Sequence, residues 1–131
     1  MNVLFVCKYN RFRSKVAEAL FNKYNKKQEY ECKSAGVQAY FQNPRVAESV
    51  NKIVKEYGRK IVNENSEVLK KVLIAWADLI VVVADNVDLG EIKRKKIEVW
   101  KIKDAMEEDI VSIKDRVKQI DGKVKELIER I

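Results

Sequence analysis

An α/β fold in a single domain is the reading this sequence supports, with a four-stranded parallel sheet carrying helices on both faces. Three observations predict it. Short apolar runs alternate with longer amphipathic stretches along the chain, the pattern of strands joined by crossover helices. One of those runs, "DLIVVVA" at 78–84, is unbroken, as befits a strand buried on both faces of a parallel sheet. The 131 residues hold 4 Gly and 1 Pro and show no repeat, low-complexity stretch or linker, so one domain spans 1–131.

"NVLFVC" (2–7) is the first strand, short and rich in β-branched residues. A helix follows over 14–26, with Val16, Ala17, Leu20, Phe21 and Tyr24 on one face. "YECKSAG" (30–36) is the second strand, stopped by Gly36. After a loop at 37–43, Asn43 and Pro44 read as an N-cap and a first helical residue. Val46, Val50, Ile53, Val54 and Tyr57 stripe that helix, and Gly58 ends it. A further helix is expected over 65–76, capped by Asn65 or Ser66. The third strand is 78–84, the fourth is "KIEVWKI" (96–102), and a final helix runs over about 107–130. Its Ile110, Ile113, Val117, Ile120, Val124, Leu127 and Ile131 alternate three- and four-residue steps. One helix packed on a sheet accounts for that stripe, so a monomer is favoured; a coiled-coil dimer is the second reading. Trp76 and Trp100 read as core or interface.

Composition removes whole classes of chemistry. With two cysteines and no histidine, a disulfide scaffold, a Cys/His zinc site and a Ser-His-Asp triad are all excluded. Any general acid or base is then Asp, Glu, Lys, Tyr or Cys. The net charge of +7 favours anionic partners. The basic run at 93–96 lacks the aromatic interleaving of a nucleic-acid surface, which argues against that partner. No secretory signal or membrane span is legible, so a cytoplasmic location is expected, where free thiols survive.

In parallel sheets ligands sit beyond the carboxyl ends of the strands. Cys7 ends the first strand there, and Asp104 follows the fourth on the same edge. The loop Lys8, Tyr9, Asn10, Arg11, Phe12 leads into Arg13 and Ser14 at the helix start. Successive backbone N–H groups of such a curl can point into one concavity, and the helix N-terminus adds more, making a phosphate-binding loop after the first strand. Arg13 offers a planar fork matching two phosphate oxygens. The same positive field favours the thiolate form of Cys7, and Ser14 can donate a hydrogen bond to it. Asn10 is among the few residue types that tolerate positive φ.

"VCKYNRFRSKVAEAL" resembles the active-site loop of the low-molecular-weight protein tyrosine phosphatases, C-x-G-N-x-C-R-S-P-x-A-E, at Cys7, Asn10, Arg13, Ser14, Ala17 and Glu18. "SAGV" (34–37), "VVVADN" (81–86) and "VWKIKDAMEED" (99–109) resemble later family segments in the same order. Four positions depart from the pattern: Tyr9 for the loop glycine, Phe12 for its second cysteine, Lys15 for a proline, and Ala105 for the proline after the acid. A tyrosine is strained at position 9 if positive φ is required there. Ala105 is expected to loosen Asp104, and Lys15 to be harmless.

The resemblance implies a cysteine-dependent phosphatase that forms a phosphocysteine, with Cys7, Arg13 and Asp104 as the catalytic residues and no metal or other cofactor. Phosphotyrosine in a protein or a small aryl phosphate is the implied partner and inorganic phosphate the product. Aspartic acid is ordinarily ionised at neutral pH, so a general acid of this type favours mildly acidic pH. Tyr40 and Phe41 fall where the family places rim residues, and Asp85 with Asn86 can orient the loop. Cys32 reads as a buried hydrophobe, with a disulfide to Cys7 as the lesser alternative. Arsenate reductases share this fold and loop; the thioredoxin-coupled members use two further downstream cysteines, and none follows Cys32. Reduction by an external thiol, and a catalytically silent phosphate-binding module, are the alternative functions.

Overall fold

The structure, a computed structural model, describes residues 1–39, 45–92 and 95–131. Four parallel strands, β1 (Asn2–Cys7), β2 (Glu31–Gly36), β3 (Leu79–Val83) and β4 (Ile97–Trp100), pair in the order β2-β1-β3-β4. Four helices accompany them: α1 (Arg13–Tyr24), α2 (Glu48–Glu56), α3 (Lys71–Trp76) and α4 (Ile110–Arg130). The predicted single-domain α/β sheet is therefore the fold.

Side chains alternate across the sheet and divide the core in two. Val3, Phe5, Val81 and Val83 face α1, α2 and α4, where Phe5 meets Phe21 edge-on at 5.8 Å and Trp100 at 5.9 Å. Leu4, Val6, Ile80 and Val82 face the other way, covered by α3 and Ile92. A strand with both faces buried needs apolar residues at every position, which is why "LFV" and "LIVVV" carry no polar alternation. Ile113, Val117, Ile120, Val124 and Leu127 of α4 are almost wholly buried. Each contributes about 1.5–3 kcal/mol by leaving water. The stripe that could have been a dimer seam is occupied by this chain's own core, while Ile110 stays 43% exposed outside it. No helix among the described residues is long and apolar enough to cross a membrane.

Three helices start later than expected. The helix expected over 65–76 forms only at Lys71–Trp76. Residues 65–70 stay extended because their backbone bonds elsewhere: Asn65 bridges Arg45, and Val68 bridges Gly36. Asn65 and Ser66 therefore cap no helix. α2 begins at Glu48 with Ala47 as its N-cap; the expected cap at Asn43 and Pro44 lies outside the described residues. Its end at Gly58, φ +76°, is as predicted. α4 begins at Ile110 because the carboxylate of Asp109 accepts the N–H of Ser112, an N-cap that closes the helix three residues after Glu107.

The strand order places the topological switch between β1 and β3, since the chain leaves β1 toward β2 on one side and returns to β3 on the other. A crevice opens at the carboxyl ends of such a pair. Cys7 ends β1, Asp85 and Asn86 follow β3, and Ile102 and Asp104 follow β4.

Candidate active site

At that crevice lies a cleft of about 330 Å³, lined by Cys7, Tyr9, Arg11, Phe12, Arg13, Asp104, Ala105 and the first residues beyond. The structure thus brings together the nucleophile, cation and acid expected from sequence, which are separated by up to 97 positions in the chain.

Asn10 holds the loop together from inside. It has φ +54°, the one positive φ among the described non-glycine residues, and is completely buried. Its Oδ1 accepts the Glu67 backbone N–H at 2.7 Å. A backbone N–H can only donate, so the amide orientation is fixed and Nδ2 must donate to Ser14 Oγ at 2.7 Å and Ser34 Oγ at 3.0 Å. Ser34 in turn donates to Glu18 Oε1 at 2.8 Å. Ser14, already an acceptor from Asn10, has its own proton free for Cys7 Sγ at 2.9 Å. The Asn10 backbone N–H donates to the same sulfur at 3.3 Å. The Ser14 hydroxyl and the Asn10 N–H thus converge on the Cys7 sulfur.

The tightness of the loop explains Gly36. A Cβ there would stand 2.7 Å from both the Asn10 nitrogen and the Tyr9 carbonyl carbon. Val37 and Gln38 then donate backbone bonds to the carbonyls of Cys7 and Lys8. Tyr9 does not have positive φ, so the expected strain is absent: the left-handed turn falls one residue later, on Asn10. The Tyr9 side chain lines the cleft instead, with the Lys8 ammonium 5.3 Å from its ring centre. Phe12 is the N-cap of α1 and offers no side-chain acceptor, which leaves the first helical N–H groups unclaimed by a side chain.

Arg13 is 1% exposed and fully braced. One guanidinium nitrogen donates to the Ile102 carbonyl at 2.9 Å and stands 3.5 Å from Asp85; the other donates to Asn86 Oδ1 at 3.1 Å and stands 3.7 Å from Asp104. Asp85 and Asn86 thus orient the arginine rather than the loop backbone. Arg11 reaches outward, donating to the Arg45 carbonyl at 2.8 Å and pairing with Glu107 at 3.4 Å. Any phosphate contact from Arg11 is therefore through its backbone.

The Ala105 N–H donates to Asp104 Oδ1 at 2.9 Å, a bond that a proline at 105 could not make. The substitution exchanges ring rigidity for a hydrogen bond.

Lys15, expected to be a harmless change, is 1% exposed and lines another hollow of about 280 Å³ with Glu18, Lys33, Ser34, Asn63 and Glu67. Burial lowers its pKa from the usual lysine range, against the pull of Glu18, Glu67 and Cys7. Burial raises Glu18, opposed by its Ser34 hydrogen bond and by Lys15.

Cys32 pairs with Val3 in the sheet while Cys7 pairs with Gly36. Four residues of strand separate them, about 13 Å, twice the reach of a disulfide. Burial, reinforced by Glu18, pushes the Cys32 thiol up and keeps it protonated. Tyr40 and Phe41, and Lys93 of the basic run, lie outside the described residues. Lys95 caps the end of α3, donating to the carbonyls of Ala75 and Ala77.

Sequence reasoning missed Ser34, Ser66 and Glu67, which anchor Asn10 from two other segments; Ser66 Oγ donates to the Asn10 carbonyl at 3.1 Å. Only "SAG" carried a signal, because a serine two residues before a strand-ending glycine shares its face of the strand.

A cysteine at a switch point, a buried arginine braced beside it by four contacts and a carboxylate across the cleft define a class of phosphate-handling cysteine protein. The sequence matches the family described as "Low molecular weight phosphotyrosine protein phosphatase" over residues 2–131, and the chain belongs to that family. Among solved structures it is similar to the low-molecular-weight protein tyrosine phosphatase of T. tengcongensis, with 27% identity, TM-score 0.87, and coverage of 100% of this chain and 99% of that one. It is similar to an arsenate reductase from Archaeoglobus fulgidus at 31% identity and TM-score 0.77, covering 97% and 98%. The YwlE arginine phosphatase from Geobacillus stearothermophilus shares the fold at 24% identity and TM-score 0.85, covering 98% and 91%. No curated protein matches the sequence.

Proposed function

We propose that this chain hydrolyses phosphotyrosine or related aryl phosphate monoesters through a phosphocysteine. The observation that carries the reading is the convergence of Cys7, Arg13 and Asp104 on one cleft, with the Ser14 hydroxyl and Asn10 N–H on the sulfur. In the first step the Cys7 thiolate forms an S–P bond as the ester P–O bond breaks. Arg13 and the loop N–H groups hold the equatorial oxygens, and the Asp104 carboxyl gives its proton to the departing phenolate. In the second step the Asp104 carboxylate takes a proton from water, whose oxygen displaces the sulfur from phosphorus. Ser14 then stabilises the leaving thiolate, and inorganic phosphate departs.

Arsenate reduction is the second reading, favoured by the 31% identity to the Archaeoglobus enzyme. An intramolecular disulfide relay has no partner here, because Cys32 lies at the far end of β2 and stays a thiol. This reading requires an external thiol to reduce the Cys7–arsenate adduct.

Hydrolysis of an aryl phosphate across pH, with wild type beside Cys7→Ser, decides the matter. Turnover lost in Cys7→Ser with the fold retained is expected. Equal turnover in both removes Cys7 as nucleophile. A wild type inert to aryl phosphates that reduces arsenate with an added thiol establishes the second reading instead.

A further inference from the structure

The stretch that carries Asp104 belongs to no helix or strand. Between the end of β4 at Trp100 and the start of α4 at Ile110 it makes one short turn, closed by the Asp109 N–H on the Met106 carbonyl at 3.0 Å. With alanine at 105, no proline ring stiffens it. Its pose is therefore set by side chains that reach it from elsewhere. Before Asp104, Arg13 donates to the Ile102 carbonyl and Arg116 of α4 to the Lys103 carbonyl at 3.2 Å. Beyond Asp104 the ties meet at Glu107. The Ser49 hydroxyl of α2 donates to its carbonyl at 2.7 Å, and the Arg11 guanidinium donates to its carboxylate at 3.4 Å.

Arg11 joins this stretch to the phosphate loop. Its Nε donates to the Arg45 carbonyl at 2.8 Å while Nη2 takes Glu107, so one planar guanidinium bridges the loop, the approach to α2 and the acid-bearing stretch. Arg11, Ala47 and Glu107 line both the catalytic cleft and an adjoining hollow of about 410 Å³, which makes the bridge the wall between the two. The two side chains are 26% and 61% exposed. An ion pair that open contributes little by itself; here the bond to Arg45 fixes the guanidinium where Glu107 meets it. We propose that Arg11 is a positioning residue for the reaction: its guanidinium, anchored on the Arg45 carbonyl, clamps Glu107 to the phosphate loop and so holds the Asp104 carboxyl over the cleft. This rests on the reading of Asp104 as the general acid. Arg11 acts through Glu107 and not on the reacting atoms.

The test reads how much the leaving group matters. The full chain, as wild type, Arg11→Met, Arg11→Lys and Ser49→Ala, is assayed with phenyl phosphate, whose leaving group needs the proton, and with p-nitrophenyl phosphate, whose leaving group does not. The readout is the ratio of kcat/KM for the first ester to that for the second. In Arg11→Met the ratio is expected to fall about three- to tenfold, the effect of losing an exposed ion pair and a charge-assisted hydrogen bond. Arg11→Lys keeps the charge but cannot hold Arg45 and Glu107 together, and recovers part of the loss. Ser49→Ala, which removes the other tie on Glu107, lowers the ratio about twofold or more. Raising salt from about 0.05 to 1 M screens the exposed pair and lowers the wild-type ratio, while that of Arg11→Met stays level. A role confined to phosphate binding slows both esters alike and leaves the ratio in place. Equal ratios for wild type and Arg11→Met overturn the proposal and leave the proposed function standing; if Arg11→Met does not fold, a wild-type ratio indifferent to salt and to Ser49→Ala overturns it. Amide exchange of the 101–109 peptide needs no substrate and is expected to quicken several-fold in Arg11→Met, to about the same extent as the ratio falls. A chain that hydrolyses neither ester refutes the proposed function; quickened exchange then sustains the clamp, and unchanged exchange overturns it.

Discussion

Gly36→Ala puts the geometry of the loop to its hardest test. The new Cβ would lie 2.7 Å from the Asn10 nitrogen and 2.7 Å from the Tyr9 carbonyl carbon, both backbone atoms. Ordinary contact needs roughly 1 Å more, and the strand cannot supply it. Gly36 is tied on one side to Cys7 in β1 and on the other donates to the Glu67 carbonyl and accepts from Leu69. The loop must move, and the part that moves carries the N–H that donates to Cys7 Sγ. A misplacement of about 1 Å costs on the order of a hundredfold in rate. Overpacking of this kind costs about 1–3 kcal/mol, or a fall of about 4–12 °C in Tm for a domain of this size. The assay is kcat for an aryl phosphate together with a thermal melt. Gly122→Ala is the control, since a Cβ there meets nothing within 4 Å and the site is mid-helix; it should raise stability by up to about 1 kcal/mol. If Gly36→Ala keeps kcat within a factor of three, the loop is not held where this reasoning puts it.

Other outcomes follow from the same geometry. Arg13→Lys should lower kcat/KM by about a hundredfold or more, because an ammonium cannot satisfy Ile102, Asn86 and two phosphate oxygens at once; near-normal rates would displace the phosphate cradle. Asp104→Asn should slow substrates with poor leaving groups by about a hundred- to ten-thousandfold and spare those with good ones; the reverse pattern in Glu107→Gln would move the acid. Peroxide should inactivate without a Cys7–Cys32 disulfide, and a cross-linked peptide in the mass spectrum would contradict the register of β1 and β2. Because burial raises Glu18 above its unfolded value, its contribution is full in acid and is lost as pH climbs through its folded range. Urea melts from pH 4.5 to 7.5 should show Glu18→Gln flattening that decline, and identical pH slopes would refute it.

The parallel sheet, its alternation with helices and the carboxyl-edge position of Cys7 and Asp104 were legible because periodicity and burial are local properties of the sequence, whereas the strand order was not. The buried strands "LFV" and "LIVVV" could hardly be anything else. Residues 65–70 were misread for the opposite reason. "NENSEVLKK" has the cap and propensity of a helix, yet its backbone groups are claimed by Asn10, Gly36 and Arg45, partners distant in sequence. Tertiary hydrogen bonding overrode local preference, and the same bonds are the loop anchors that sequence reasoning missed. Tyr9 and Ala105 raised concern as missing glycine and proline, but which residue of a loop carries positive φ, and whether a spare N–H finds an acceptor, are decided by three-dimensional context. Lys15 was passed over because nothing in "RSKVAEAL" distinguishes a buried lysine from an exposed one.

The central place of β1 also sets the order in which the molecule can become reactive during synthesis. β1 is made first, but its neighbour β3 begins at Leu79, and the carbonyl that braces Arg13 belongs to Ile102. A nascent chain emerging from the ribosome at about 5–20 residues per second therefore displays its cysteine for several seconds before the cradle around it can close. Over that interval the Arg13 guanidinium lacks its brace, and the cleft assembles only once β4 and the segment through Asp104 have emerged.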